Sequence, residues 1–131
     1  MLVKEHMTKN PLTVSPDEDI KVAFNTLTDH NIRQAPVIEG GRLQGIITDR
    51  DLRMALVQYE TEPALTVKSV MTLDPVIVKE NAELKDAARL ISKNKFNALP
   101  VISEGGELTG VLTTTDILNG LVQALDEVKD K

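Results

Sequence analysis

The side chains with most chemical promise are two aspartates in matching settings. Asp51 closes the run Gly45-Ile46-Ile47-Thr48-Asp49-Arg50-Asp51, and Asp116 closes Gly110-Val111-Leu112-Thr113-Thr114-Thr115-Asp116. A hydroxyl followed three residues later by an acid is a helix capping box, each side chain serving the other's backbone N–H. One such match carries little weight, because four-residue patterns arise by accident. Two in register ask for more, and an aspartate that caps a helix can also face a cleft. Arg33 and Arg50 are the best partners for a phosphate, since a guanidinium grips its oxygens in pairs. As plain surface residues both would be solvated charges.

Other chemistries find little support. The only histidines, His6 and His30, lie far apart without a His or Cys partner at ligand spacing, so no metal site is expected. With no cysteine, thiolate nucleophiles, disulfides and Cys-based zinc sites are absent. No serine sits in a nucleophile elbow, and the carboxylates of Asp49 and Asp51 point to different sides of a helix start. The chain reads as non-enzymatic. A net charge of −5 with no Lys/Arg stripe repels phosphate backbones. Aromatics are only Phe24, Tyr59 and Phe96, so stacking platforms for bases have little to be built from. Nucleic-acid binding is therefore not expected. No apolar run approaches the roughly 20 residues of a membrane span, and Met1–His6 has no apolar signal core. A cytoplasmic protein is the expectation.

The elements that would position these aspartates come as a repeat. Val3-Lys4-Glu5-His6-Met7-Thr8-Lys9-Asn10-Pro11 returns 64 residues later as Val67-Lys68-Ser69-Val70-Met71-Thr72-Leu73-Asp74-Pro75, and Pro36-Val37-Ile38 returns as Pro100-Val101-Ile102. One inserted residue then shifts the offset to 65, so that Gly40-Gly41 meets Gly105-Gly106 and Asp51 meets Asp116. Each copy predicts a βαββα unit. Leu12–Val14 and Val76–Val78, just after proline, suit edge strands. Ser15-Pro16-Asp17-Glu18 offers a capping box for a first helix with Ile20, Ala23, Phe24 and Leu27 inward; Leu84, Ala87, Ala88 and Ile91 repeat that stripe. Strands near 35–39 and 43–48, and again 99–103 and 108–113, join through the paired glycines. Second helices start at Asp49 and Thr114, with Leu52, Ala55 and Leu56, or Ile117, Leu121 and Val122, inward. The expected domains are unit 1 (1–57), a linker (58–66), unit 2 (67–125) and a charged tail (126–131). A unit of about 55 residues cannot cover its own apolar faces, so two must pack together.

Met-Thr-x-x-Pro, an apolar-Pro-Val strand and Gly-x-x-Thr-x-x-Asp, present twice over residues 3–57 and 67–123, resemble the CBS domain, named after cystathionine β-synthase. The chain is thus similar to a tandem CBS pair, or Bateman module, of class α+β: two small mixed three-stranded sheets, each with two helices, related by pseudo-twofold symmetry. The resemblance implies two clefts for adenosine-containing ligands such as AMP, ADP or ATP, with the Asp on the ribose hydroxyls and the Thr by ribose or phosphate. Carried over, one cleft joins Thr48, Arg50 and Asp51 to Val76, Ile77, Phe96, Asn97 and Ala98. The other joins Thr113, Thr115 and Asp116 to Leu12, Thr13, Ile32, Arg33 and Gln34. Asp74 and Lys79 flank the first cleft and Asn10 and Ser15 the second, so unequal affinity is expected, with the Arg33 cleft the better anion site. S-adenosylmethionine, NAD(H) or a cyclic dinucleotide is the alternative ligand, and a protein-interaction module with empty clefts the alternative function. No cofactor is required. Ligand would act by shifting the angle between the units, and family pairs imply a homodimer covering helices near Leu52–Leu56 and Leu121–Leu125.

Overall fold

The structure, a computed structural model, describes residues 1–58, 61 and 64–129. In chain order a 3-10 turn (Val3–Glu5) leads to β1 (Thr8–Lys9), α1 (Ile20–Asp29), β2 (Gln34–Glu39), β3 (Arg42–Thr48) and α2 (Asp49–Leu56). The second half repeats this with α3 (Val67–Val70), β4 (Thr72–Leu73), β5 (Val78–Lys79), α4 (Leu84–Asn94), β6 (Ala98–Ile102), β7 (Leu108–Thr113) and α5 (Thr114–Lys129). The expected α+β class holds. The linker residues Tyr59, Glu60, Glu62 and Pro63 and the tail residues Asp130 and Lys131 lie outside the described residues.

The two hairpins show why the repeat offset changes. Glu39 pairs with Arg42 across Gly40 and Gly41, whose φ values of +60° and +79° are those of a two-residue turn with both central residues left-handed. In the second copy the Ser103 N–H donates to the Glu107 carbonyl at 2.8 Å and only Gly106 is left-handed, at +87°. The inserted residue converts one hairpin type into the next longer one.

Packing divides the chain differently from the repeat. Leu12–Pro75 forms one compact unit, the continuous unit; Met1–Pro11 joins Val76–Lys131 in the other, the composite unit. The reason lies in β1 and β4, the Met-Thr segments. In the composite unit β1 runs antiparallel to β7, Thr8 opposite Val111, at the edge of a sheet ordered β1-β7-β6-β5 with β5 parallel to β6. In the continuous unit β4 lies likewise on β3, Thr72 opposite Ile46, in the order β2-β3-β4. Each Met-Thr segment therefore completes the sheet of the other repeat. The glycine of Gly-x-x-Thr admits it. A β-carbon at Gly110 would lie 2.7 Å from the Thr8 carbonyl oxygen, and one at Gly45 would strike the Thr72 carbonyl. The segments Leu12–Val14 and Val76–Val78 contribute less strand than expected: Val14 makes a single parallel bridge to Val37, and β5 begins only at Val78.

Helix α1 also starts later than the capping box implies. The Ser15 N–H does donate to Glu18 Oε2 at 3.3 Å, but Ser15 Oγ accepts from the Asp17 N–H at 3.3 Å and the Glu18 N–H donates to the Ser15 carbonyl at 3.2 Å, so only a turn is closed. The Pro16 and Glu18 carbonyls, which a helix starting there would use, accept instead from Lys68 and Val67 at 2.8 and 2.9 Å. Asp19 is the cap, accepting from the N–H groups of Lys21 (2.7 Å) and Val22 (3.4 Å).

Each unit has its own core. Val14, Ile20, Ala23, Leu27, Ala35, Val37, Ile47, Leu52 and Val67 fill the continuous one; Val3, Val78, Leu84, Ala87, Ile91, Leu99, Val101 and Leu112 fill the composite one. The predicted inner faces of α1, α2 and α4 lie in these cores or pack against them, except Ala88, whose place beside the α4 core is taken by Leu90. On α5 the expectation fails in part: Ile117 packs inward, but Leu121 and Val122 are more than half exposed. Gly120 takes the inward position, buried so close to Leu84 that a β-carbon would lie 2.5 Å from its Cδ2. That close approach rolls Leu121 and Val122 to the outside.

Candidate functional site

In the continuous unit the sheet delivers Thr48 to the start of α2, where its Oγ1 accepts from the Asp51 N–H at 3.0 Å. Gln34 is the cross-strand partner of Thr48, and the Asp49 N–H donates to the Arg33 carbonyl at 2.8 Å. Ile32, Arg33 and Gln34 are thereby tied to Thr48, Arg50 and Asp51. Both arginines are exposed, while Asp49 is engaged by Arg53 at 3.1 Å. Among the described residues no donor reaches the Asp51 carboxylate, which is only half-buried. It lines a groove of about 450 Å³ with Met54, Ala55, Gln58, Leu65, Ser69 and Val70. Leu12 and Thr13, also half-buried, lead into the Val14 bridge. The set offers an open carboxylate, two guanidiniums, the positive end of a helix and aliphatic neighbours.

The composite unit repeats the frame with other contents. Asp116 and Thr113 form a complete capping box: the Asp116 N–H donates to Thr113 Oγ1 at 3.1 Å, and the Thr113 N–H to Asp116 Oδ2 at 2.9 Å. The Asp116 carboxylate also accepts from the Thr8 hydroxyl, at 3.2 Å to Oδ2 and 3.4 Å to Oδ1. Asn97 stands where the other copy has Arg33, its carbonyl accepting from the Thr114 N–H (3.0 Å) and hydroxyl (3.2 Å). Ala98 pairs with Thr113, and Phe96 packs on the core. Thr115, the counterpart of Arg50, is exposed, as is Val76; Ile77 is half-buried.

Two groupings therefore emerge within the units: Ile32–Gln34 with Thr48–Asp51, and Phe96–Ala98 with Thr113–Asp116. The carry-over placed the members of each on different clefts, so the local neighbours of Asp51 include Arg33. Asp74, expected as an opposing charge, has φ +50°, and its counterpart Asn10 φ +51°. Both take the left-handed conformation that Asn and Asp tolerate best, directly before proline. Thr8 had no signal in the sequence beyond belonging to the Met-Thr motif. Among the described residues no cluster of His, Asp and Glu is spaced to hold a metal, and no helix is long and apolar enough to cross a membrane.

A doubled βαββα frame with an aspartate at each second helix start defines the class, and comparison with known proteins gives the family. The CBS domain model matches residues 3–58 and 67–123. The chain belongs to the CBS domain family. It is 34% identical, over 98% of its own length and 96% of the relative's, to a CBS domain-containing protein of Dictyostelium discoideum. It is 36% identical to the inosine-5′-monophosphate dehydrogenase of Korarchaeum cryptofilum, but spans only 22% of that enzyme. Among solved structures, CBSX2 in complex with AMP superposes with a TM-score of 0.82 at 30% identity, covering 94% of this chain and 97% of that one. The CBS domain pair of protein MJ0100, in complex with 5′-methylthioadenosine and S-adenosyl-L-methionine, does so at 0.77 and 28%, covering 95% and 98%.

Proposed function

We propose that the chain is a regulatory module that binds an adenosine-containing nucleotide, AMP, ADP or ATP, and catalyses no reaction. The observation that carries this reading is the open Asp51 carboxylate held in one unit with Arg33 and Arg50. A carboxylate accepts from both vicinal hydroxyls of a ribose, at roughly 1.5–3 kcal/mol for each charge-assisted bond. Guanidiniums and the start of α2 suit the phosphate. Aliphatic side chains with backbone partners suffice for adenine. The likeness to CBSX2, solved with AMP, supports the ligand class. Binding would regulate through differential affinity for two states of the module. Mass spectrometry of small molecules released from the purified, denatured protein tests the reading: an adenine nucleotide is expected. S-adenosylmethionine or methylthioadenosine in its place would favour a second reading, which the likeness to MJ0100 supports.

The same reading includes a cytoplasmic homodimer. Leu118, Leu121, Val122, Leu125 and Val128 form one exposed stripe along α5, whereas at α2 the exposed large apolar side chains are Met54 and, just past its end, Val57, and Leu52 is fully buried. The apolar surface available to a second copy thus lies chiefly on α5.

A further inference from the structure

We infer that the two halves are unequal ligand sites: the continuous unit takes the phosphate-bearing nucleoside, and in the composite unit Thr8 already occupies the carboxylate that would do the same work. This rests on the proposed nucleotide reading and names which half performs it.

The two aspartates differ in what they already hold. Asp116 accepts from the Thr113 N–H at 2.9 Å and from the Thr8 hydroxyl at 3.2 and 3.4 Å. An incoming diol would have to displace Thr8 and so exchange one hydroxyl donor for another, with little net gain. Asp51 makes only half of its box, through its N–H to Thr48, and among the described residues its carboxylate has no donor. Thr72 occupies the same register against β3 that Thr8 occupies against β7, yet makes no corresponding bond. Charge divides the halves in the same direction. Arg33, whose carbonyl accepts from the Asp49 N–H, and Arg50 belong to the local grouping of Asp51, and the equivalent positions in the grouping of Asp116 are the uncharged Asn97 and Thr115. A ligand with phosphate therefore gains two guanidiniums in one half and none in the other.

Calorimetric titration of the full chain with AMP tests this. The expected stoichiometry is about one AMP per chain. Asp51→Asn should weaken binding by about 10- to 150-fold, the loss of one charge-assisted hydrogen-bond set, while Asp116→Asn should change it by less than about twofold. Thr8→Val, which removes the hydroxyl donor from the Asp116 carboxylate, should add a second and weaker event when adenosine is the titrant. Two equal AMP events in the unaltered chain, an Asp116→Asn loss matching that of Asp51→Asn, or a Thr8→Val titration unchanged from the parent would each overturn the inference while leaving the nucleotide reading in place. Absence of any binding by AMP, ADP or ATP to the unaltered chain would overturn the nucleotide reading and this inference with it.

Discussion

Gly110 and Met7 are packed so tightly that a β-carbon on the glycine would lie 2.8 Å from the methionine sulfur, with the Thr8 carbonyl oxygen at 2.7 Å. Backbone cannot yield as a flexible side chain can. Gly110→Ala should therefore cost about 1–3 kcal/mol, the range of overpacking, and lower the melting temperature by several degrees. Gly105→Ala, where only Ser103 Oγ lies within 4 Å, at 3.8 Å, is the control and should leave it nearly unchanged. Scanning calorimetry on both variants decides.

The start of α1 gives a second prediction. Asp19→Ala removes the acceptor of two helix N–H groups and should cost about 0.5–2 kcal/mol in urea unfolding. Ser15→Ala removes one 3.3 Å bond of an exposed turn and should cost less. Equal costs would return the cap to the Ser15 box.

Nucleotide should stabilise the chain. A ligand that binds only the native state, at about 100 times its Kd, adds roughly 2.7 kcal/mol. For this length that is a rise of roughly 5–15 °C. AMP, ADP, ATP, S-adenosylmethionine, NADH and a cyclic dinucleotide can be ranked by thermal shift. A flat response across all six would favour the protein-interaction module.

Light scattering tests the dimer. The expected mass is twice the 14.4 kDa of the chain at micromolar concentration, and Leu121→Lys with Leu125→Lys should return the monomer mass without loss of helicity. Those side chains are 53% and 61% exposed, so the core is spared. A monomer mass for the unaltered chain would sink the dimer.

What the sequence made legible follows physical locality. Hairpins, the turn glycines and the inward faces of α1, α2 and α4 are written in short-range patterns and were readable to within a residue or so. The cap at Asp19 is not legible locally because its rival, the Ser15 box, is equally good there; the difference is made by Val67 and Lys68, some 50 residues on, which take the carbonyls. The roll of α5 escaped because Gly120 has no apolar side chain, so a pattern of hydrophobic residues gives the buried position no weight. A repeat shows that two copies share a fold but says nothing about which copy a strand pairs with, and so the exchange of β1 and β4 was hidden. The Thr8–Asp116 bond, spanning 108 residues, leaves no local trace at all.

The exchanged strands also set the order of events during synthesis. The continuous unit is complete once Pro75 has left the ribosome, and its β3–β4 pairing closes a loop of fewer than 30 residues, Gly45 to Leu73. In the composite unit the residues before β1 find partners at Glu80, Ala82 and Leu84, but β1 itself stays unpaired until β7 arrives, because Thr8 finds its partner only at Val111. Closing that longer loop costs more entropy, though only logarithmically so, and high sequence separation slows folding. Translation thus yields one finished half first, and β1, made near the start, joins its sheet only when β7 has been made.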